Sequence, residues 1–217
     1  MGFLDFFKKT ATLDLIAPIS GKVMSIDKVP DEAFAEKIVG DGIAILPTSN
    51  ELLAPCDGKI GKIFKTNHAF SLETKEGVEI FVHFGINTLN LNGKGFTRVA
   101  EEGINVKQGE VIIRLDLEYL KEHSESVITP VVIANSDEVS SIEYSFGRLE
   151  NESEYILSSS TVLTEEIRHK ISQTKPVTAG KDLVLRVRKV KKKREFKTLS
   201  FFKIITTLFL EIRLLCL

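Results

Sequence analysis

Short apolar runs separated by turn residues dominate the chain from Leu15 to Val132. Runs such as KVMSI, KIGKIF, VEIFVHF and EVIIRLDL are rich in valine, isoleucine and phenylalanine, which are common in strands. The segments between them, among them PISG, PDE, GDG and PCDG, supply the proline, glycine and aspartate of tight turns. Short strands at this spacing predict an all-β fold, which we expect to be a flattened antiparallel barrel or sandwich.

Helical patterns are confined to short segments. VPDEAFAEKIV and LDLEYLKEHS each fit one or two helical turns, and LTEEIRHKI favours a short helix farther along the chain. We therefore expect few and short helices beside the strands.

One strand-turn unit occurs twice. APISGKVMSI at 17–26 and APCDGKIGKI at 54–63 both read Ala-Pro, two residues, Gly-Lys and then an alternating strand. Proline ends one strand and glycine supplies the turn before the next. The duplication predicts that both units serve one sheet system, as in a barrel-sandwich hybrid.

Charge and composition divide the chain into unequal parts. Residues 181–217 carry a net charge of +8, whereas the remaining 180 residues carry −9. Residues 148–174 are rich in glutamate, serine and threonine, which is typical of a surface insertion. The predicted parts are an N-terminal amphipathic segment (1–14), a β domain (15–147 with 176–189), a partly flexible insertion (148–175) and a basic and apolar tail (190–217).

The cysteines and the two ends bear on the cellular compartment. Cys56 and Cys216 lie far apart and form no disulfide framework, which predicts a reducing cytoplasm. The start, MGFLDFFKKTATLD, lacks the pattern of a signal peptide, and residues 3–9 are expected either to touch the inner membrane surface or to pack as a frayed terminus. The tail has no uncharged stretch long enough to span a bilayer, and it either binds a surface or has no function.

Two of the four histidines lie in one predicted hairpin. TNHAFSLE and VEIFVHFG are expected to be its strands, with Glu73 facing Val78 across the turn. That register places His68 directly opposite His83 on one face. It also places Phe70 opposite Phe81 on the same face and Thr66 opposite Gly85.

Two adjacent imidazoles suit several kinds of site. A neutral imidazole whose second nitrogen donates to a carbonyl is a nucleophile toward phosphorus, and a second imidazole with a threonine hydroxyl stabilises the phosphoryl oxygens. His68 and His83 are also half of a zinc site, which a partner's carboxylate could complete at an interface. The third alternative is an ordinary pair on a half-exposed strand face.

A long set of motifs resembles one known family. IAPISGKV, VPDEAFAEKIVGDGIAI, GKIGKIFKTNHAFSLE, GVEIFVHFGINT, GFTRVAEEG and TPVVIANSDE are similar to the glucose-type enzyme IIA of the bacterial phosphoenolpyruvate-dependent sugar phosphotransferase system. The resemblance covers about residues 1–147 and returns at 176–189.

The resemblance implies a phosphocarrier that requires no cofactor. His83 would accept a phosphoryl group from the histidine-containing phosphocarrier protein and pass it to a cysteine of the enzyme IIB domain of a sugar permease. His68 and Thr66 would assist. The implied partner surface consists of Phe34, Ile38, Val39, Phe64, Phe70, Phe81 and Asn87.

The sequence departs from the resemblance at one position and is compatible with a second function. Asn87 stands where relatives often carry aspartate, so one negative charge near the site is absent. The alternative function is mainly regulatory, with an unphosphorylated form that binds and inhibits permeases or kinases. We expect no nucleic-acid partner.

Overall fold

The computed structural model describes residues 10–149 and 153–190 of the 217-residue chain. The strands in this part are β1 (Thr10–Ile16), β2 (Gly21–Ser25), β3 (Asp41–Pro47), β4 (Glu51–Leu53), β5 (Gly58–Ile63), β6 (Ala69–Glu73), β7 (Glu79–His83), β8 (Phe96–Arg98), β9 (Asn105–Val106), β10 (Val111–Leu115), β11 (Thr129–Ile133), β12 (Ser141–Arg148), β13 (Glu154–Ser158) and β14 (Leu183–Val190). The α-helices are α1 (Glu32–Ala35), α2 (Leu117–His123) and α3 (Glu165–Gln173). Single turns of 3-10 helix lie at Ile26–Lys28, Thr88–Leu91 and Ser136–Glu138.

The strands form three antiparallel sheets. The largest has the order β2-β3-β11-β7-β6-β5-β9, a second has the order β1-β14-β12-β13, and β4-β10-β8 form the third. Every pair of neighbouring strands is antiparallel. The predicted all-β sandwich or barrel is therefore confirmed, and the short helices lie in the three segments whose pattern favoured them.

The duplicated unit also lies where it was expected. Gly21 and Gly58, the glycines of the two copies, each begin a strand, β2 and β5. Both strands belong to the seven-stranded sheet. The repeated sequence thus serves one sheet twice.

Side chains alternate along the central strands, so the two faces of the seven-stranded sheet contribute to two different apolar clusters. On β7, Ile80 and Val82 face the main core between the sheets, whereas Phe81 points to the other side. On that side a smaller cluster forms under the outer face of the seven-stranded sheet. Its buried members are Ile26, Val29, Phe34, Val39, Ala44, Ala69, Phe81, Ile86, Val132 and Ala134. The candidate site lies on this smaller cluster.

The segment predicted to be an insertion joins the sheet. β12 runs across the expected boundary at residue 148, and β13 pairs with it as an edge strand. Thr164 caps α3, since its side chain accepts from the amide of Ile167, and Ile171 packs into the main core. Arg168 of α3 forms an ion pair with Asp27 at 2.6 Å. The predicted helix in this segment is therefore present and packs on the β domain.

Several predictions concern residues outside the described ranges. The amphipathic segment at residues 3–9 and the tail from residue 191 onward belong to them, as do residues 150–152. Among the residues that the structure describes, no helix has the length and apolar character needed to cross a membrane.

Candidate active site

The β6–β7 hairpin has a register that differs by one residue from the predicted one. Ala69 lies opposite His83 and Glu73 opposite Glu79, so the prediction that His68 directly opposes His83 is wrong. The cause is the turn: Gly77 adopts a left-handed φ of 75°, and Thr74 and Val78 close a three-residue loop. The amide of Thr74 donates to the carbonyl of Val78 at 3.0 Å, and the amide of Val78 donates to the Thr74 hydroxyl at 3.1 Å. A glycine in this conformation is typical of three-residue hairpin loops.

His68 nevertheless reaches His83, because His68 lies just outside β6 and its side chain does not follow the alternation of that strand. β6 begins at Ala69, and Asn67 adopts a left-handed φ of 55°. The His68 carbonyl still accepts from the amide of Phe84 at 2.7 Å, while its ring turns toward His83. The two imidazole centroids lie 4.8 Å apart with an interplanar angle of 79°. The predicted pair therefore exists, but a turn creates it rather than the strand register.

The tautomer of His83 follows from its hydrogen bond. His83 Nδ1 lies 2.9 Å from the carbonyl oxygen of Gly85. A carbonyl oxygen only accepts, so Nδ1 carries the proton and Nε2 carries the lone pair. Among residues 10–149 and 153–190, no group forms a hydrogen bond with Nε2 of His83. The nitrogen that a nucleophile needs is therefore free.

Gly85 holds its carbonyl in place through an unusual conformation. Its φ is +70°, and a Cβ there would lie 2.5 Å from Cγ2 of Thr88 and 2.7 Å from the carbonyl oxygen of Ser126. The Thr88 hydroxyl donates to the carbonyl of Phe84 at 2.8 Å and closes the same turn. Both the positive φ and the lack of space for a Cβ require glycine in this tight turn after β7. The predicted pairing of Gly85 with Thr66 is wrong, and the contribution of its carbonyl was missed.

Thr66 lies in the turn before β6, next to His68. The Thr66 hydroxyl oxygen is 2.5 Å from Nδ1 of His68. A hydroxyl donates as well as accepts, so this contact fits a His68 tautomer whose Nε2 carries the proton. Such a ring presents a donor next to the acceptor nitrogen of His83.

Aromatic side chains form the floor under both imidazoles. The ring of Phe34 lies 5.3 Å from that of His83, and the ring of Phe81 lies 5.9 Å from it. The Phe64 ring meets His68 edge-on at 5.4 Å. His68 is only 4% exposed, whereas His83 is half-buried.

This burial lowers the pKa of both histidines. Desolvation, together with a smaller effect of the neighbouring His83 ring, lowers the pKa of His68 to about 3. Desolvation lowers the pKa of His83 to about 4, although the hydrogen bond to Gly85 opposes that change. Both rings are therefore neutral at pH 7, and the Nε2 lone pair of His83 remains available.

The residues predicted to meet partners fall into three groups. Ile38 is 66% exposed and Phe64 is half-buried, so both reach the surface. Three others are buried in the small cluster below the site: Phe34, Val39 and Phe81. The assignment of Phe70 to this surface is wrong, since its side chain has no exposed area and belongs to the main core. The one-residue change of register explains the error, because it moves Phe70 to the opposite face from Phe81.

Asn87 lies in the loop that follows β7, with a left-handed φ of 58°. Its side-chain amide donates to the carboxylate of Glu125. Glu125, which lies between α2 and β11, therefore places a negative charge against this loop, although position 87 itself is neutral. Nothing in the sequence indicated this partner, which is 38 residues away.

The histidine pair has no further metal ligand on this chain among the described residues. In that part of the chain, no group of three or more histidine, cysteine, aspartate or glutamate side chains lies close enough to hold a metal ion. A zinc ion at His68 and His83 would thus need ligands from a partner, as the sequence suggested. Cys56 is buried, and burial raises the pKa of its thiol to about 12, so it is an unreactive core residue.

Comparison with known proteins places this site in a family. The profile of the phosphoenolpyruvate-dependent sugar phosphotransferase system, EIIA 1, matches residues 13–139, which is more than half of the chain. The chain belongs to this EIIA family. The resemblance of the sequence motifs is thereby confirmed, and the chain is a phosphotransferase component.

Individual relatives agree with the EIIA assignment. A glucose-specific EIIA component from Borreliella burgdorferi is 98% identical over 189 residues, which is 87% of this chain and 100% of that protein. An N-acetylglucosamine-specific EIICBA component from Klebsiella pneumoniae is 55% identical over 128 residues, which is 59% of this chain and 20% of that protein. The glucose permease IIA of Mycoplasma capricolum has a similar fold, with a TM-score of 0.56 at 36% identity over 62% of this chain and 84% of that chain.

Proposed function

We propose that this EIIA chain carries a phosphoryl group on Nε2 of His83. It receives the group from the histidine-containing phosphocarrier protein and passes it to a cysteine of the enzyme IIB domain of a glucose-type permease. The observation that carries the proposal is the hydrogen bond of His83 Nδ1 to the Gly85 carbonyl. That bond leaves the lone pair of a neutral, half-buried imidazole at Nε2, as nucleophilic catalysis requires.

The transfer proceeds by displacement at phosphorus. The Nε2 lone pair forms a new P–N bond while the P–N bond to the donor histidine breaks, and the donor imidazole leaves with that electron pair. His83 keeps the Nδ1 proton, so its ring becomes more positive and the Gly85 carbonyl at 2.9 Å stabilises that charge. In the onward step the cysteine thiolate attacks phosphorus, and the electron pair of the P–N bond returns to Nε2.

His68 and Thr66 have supporting roles in this proposal. The Thr66 hydroxyl donates to Nδ1 of His68 at 2.5 Å and thereby keeps the proton on His68 Nε2. With the two rings 4.8 Å apart, that N–H donates to an oxygen of the phosphoryl group on His83. Phosphoryl transfer depends mainly on positioning and on charge stabilisation of this kind.

The partner surface surrounds the histidines. Ile38 and Phe64 supply exposed apolar area, and the Asn87–Glu125 pair supplies a polar edge. Apolar anchors with a polar rim are the usual composition of protein interfaces. The EIICBA relative carries the same module in one longer chain, and its name includes the B component, which supports a IIB domain as the acceptor.

A phosphorylation assay with histidine variants tests the proposal. The protein is incubated with phosphoenolpyruvate, enzyme I and the histidine phosphocarrier protein, and acid-labile phosphate is quantified. We expect about one phosphate per chain in the wild type and in His123→Ala, which replaces an exposed histidine at the end of α2. His83→Ala should accept none, and label that persists in His83→Ala would refute the assignment.

The same assay separates the two histidines. We expect His68→Ala to accept phosphate and to transfer it poorly to the IIB domain, because only the donor to the phosphoryl oxygen is lost. A folded His68→Ala protein that accepts no phosphate would contradict this division of roles.

A further inference from the structure

Lys37 has a backbone conformation that lysine rarely adopts. It follows α1 with a left-handed φ of 60°, at the end of a helix where glycine is usual. Its amide donates to the carbonyl of Phe34 at 2.9 Å, and its carbonyl accepts from the amide of Gly40 at 3.2 Å. An L-residue with a side chain is strained in this region, so the lysine side chain itself requires an explanation.

The Lys37 side chain is anchored below the turn. Its Nζ lies 3.0 Å from the carboxylate of Asp41, whose side chain is only 16% exposed. The same Nζ lies 6.0 Å from the centre of the Tyr144 ring. Burial and the neighbouring Asp41 carboxylate raise the pKa of the Tyr144 phenol, so this group stays neutral and Lys37 is the cation of the cluster. The Asp41 end of the pair is thus shielded from solvent, whereas the Lys37 side chain is 44% exposed.

The anchored turn presents one exposed apolar side chain next to the active site. Phe34 and Val39, on either side of the turn, are buried in the small cluster, and the Phe34 ring contacts His83 at 5.3 Å. Ile38 between them is 66% exposed. The direction of Ile38 is therefore set by the turn whose strained residue is Lys37.

We propose that Lys37 is a positioning residue that holds Ile38 in the orientation that docks the histidine phosphocarrier protein. The inference rests on the proposed function. Lys37 does not touch the transferred phosphoryl group; it acts through Ile38. Its contacts with Asp41 and Tyr144 keep the strained turn in one conformation, so the apolar anchor is ordered before the partner arrives and its ordering costs no binding free energy.

Two simpler explanations predict different behaviour. If Lys37 only ended α1, glycine would replace it without loss, because glycine adopts the same φ without strain. If Lys37 only attracted an acidic patch on the partner, the change in docking affinity would depend on the sign of the charge that is removed. Removing Lys37 and removing the charge of Asp41 would then change docking in opposite directions.

Steady-state transfer of the phosphoryl group from the phosphorylated phosphocarrier protein, through this chain, to the IIB domain tests the proposal. KM for that protein and kcat are measured for the wild type, Lys37→Gly, Asp41→Asn, Ile38→Ala and the double variant Lys37→Gly/Ile38→Ala. We expect Lys37→Gly and Asp41→Asn each to raise KM by about threefold to tenfold, with kcat within twofold and a midpoint of thermal unfolding that is not lowered in Lys37→Gly. In the Ile38→Ala background, Lys37→Gly should raise KM no further.

A matched control removes a different lysine–aspartate pair. Lys107→Gly breaks the exposed pair with Asp57 at 2.8 Å, beside β9 at the far edge of the seven-stranded sheet, and should leave KM unchanged. An unchanged KM in Lys37→Gly, opposite changes in Lys37→Gly and Asp41→Asn, or an undiminished effect in the Ile38→Ala background would overturn the inference while the proposed function stands. A wild-type protein that accepts no phosphate would overturn both.

Discussion

The Nδ1 atom of His83 and the carbonyl oxygen of Gly85 lie 2.9 Å apart, two residues from each other along the chain. This contact determines which nitrogen of His83 is nucleophilic, and it depends on a glycine with φ of +70°. The active site therefore relies on a backbone turn as much as on side chains.

Replacing Gly85 tests that dependence. We expect Gly85→Ala to lower the free energy of unfolding by about 2 kcal/mol or more, because its Cβ meets both a strained φ and two atoms closer than 3 Å. Phosphate acceptance by the folded fraction should fall as the carbonyl moves. Urea denaturation and single-turnover phosphorylation measure the two effects.

Gly103 offers the matched control for Gly85. Its φ is +80°, and a Cβ there would meet no atom within 4 Å. Gly103→Ala therefore carries the backbone strain without the clash and leaves His83 untouched. Equal losses of phosphate acceptance in both variants would contradict a specific role for the Gly85 carbonyl.

The Thr66 hydroxyl is expected to act through the tautomer of His68. Thr66→Val removes the group that lies 2.5 Å from His68 Nδ1, and we expect onward transfer to the IIB domain to slow by about tenfold. Thr66→Ser keeps a hydroxyl and should stay within about threefold of the wild type. Stopped-flow transfer rates compare the variants, and identical rates for valine and serine would count against the tautomer argument.

Burial of the histidine pair predicts a loss of stability in mild acid. The pKa of His68 is about 3 in the folded protein against about 6.5 in an unfolded chain, so the unfolded state binds more protons between these values. Stability is therefore present above pH 6.5 and is lost as the pH falls, by an amount on the order of 3 kcal/mol at pH 4 for this one group.

Denaturation curves at several pH values measure this effect. The His68→Gln variant should show a flatter dependence of the free energy of unfolding on pH between 6.5 and 4. The NMR chemical shifts of the His68 and His83 ring carbons should stay constant from pH 8 to pH 5. A full titration of either ring near pH 6.5 would show that burial does not keep the pair neutral.

The contact of Asn87 with Glu125 predicts a penalty for an aspartate at position 87. Asn87→Asp places two carboxylates in contact, and we expect the free energy of unfolding to fall by about 0.5 kcal/mol at low salt. In a Glu125→Gln background the same substitution should cost nothing. Chemical denaturation of the four proteins gives the coupling, and an equal cost in both backgrounds would mean that the two side chains do not interact.

Strand alternation predicted the fold and part of the site. It placed Phe81 and His83 on one face of β7, because that face follows from the period of two within one strand. The register across the hairpin required the turn conformation, and the left-handed Gly77 shifted it by one residue and moved Phe70 into the core. The meeting of His68 with His83 depends on Asn67, whose left-handed φ no periodicity reveals.

Contacts between distant segments could not be predicted from the sequence. The pairs Asn87–Glu125 and Arg168–Asp27 join residues 38 and 141 positions apart, and either partner alone is an ordinary surface residue. Residues 148–175 were predicted to be an insertion because their composition is polar. Their few apolar residues, such as Ile171, are enough to fix the segment on the core.

NMR of the phosphorylated protein with ¹⁵N-labelled histidine tests the central claim most directly. The one-bond coupling between ³¹P and ¹⁵N identifies the nitrogen that carries phosphorus. We predict this coupling at Nε2 of His83, with Nδ1 of the same ring still protonated, and no coupling in His83→Ala. Coupling at Nδ1 of His83, or at either nitrogen of His68, would contradict the account.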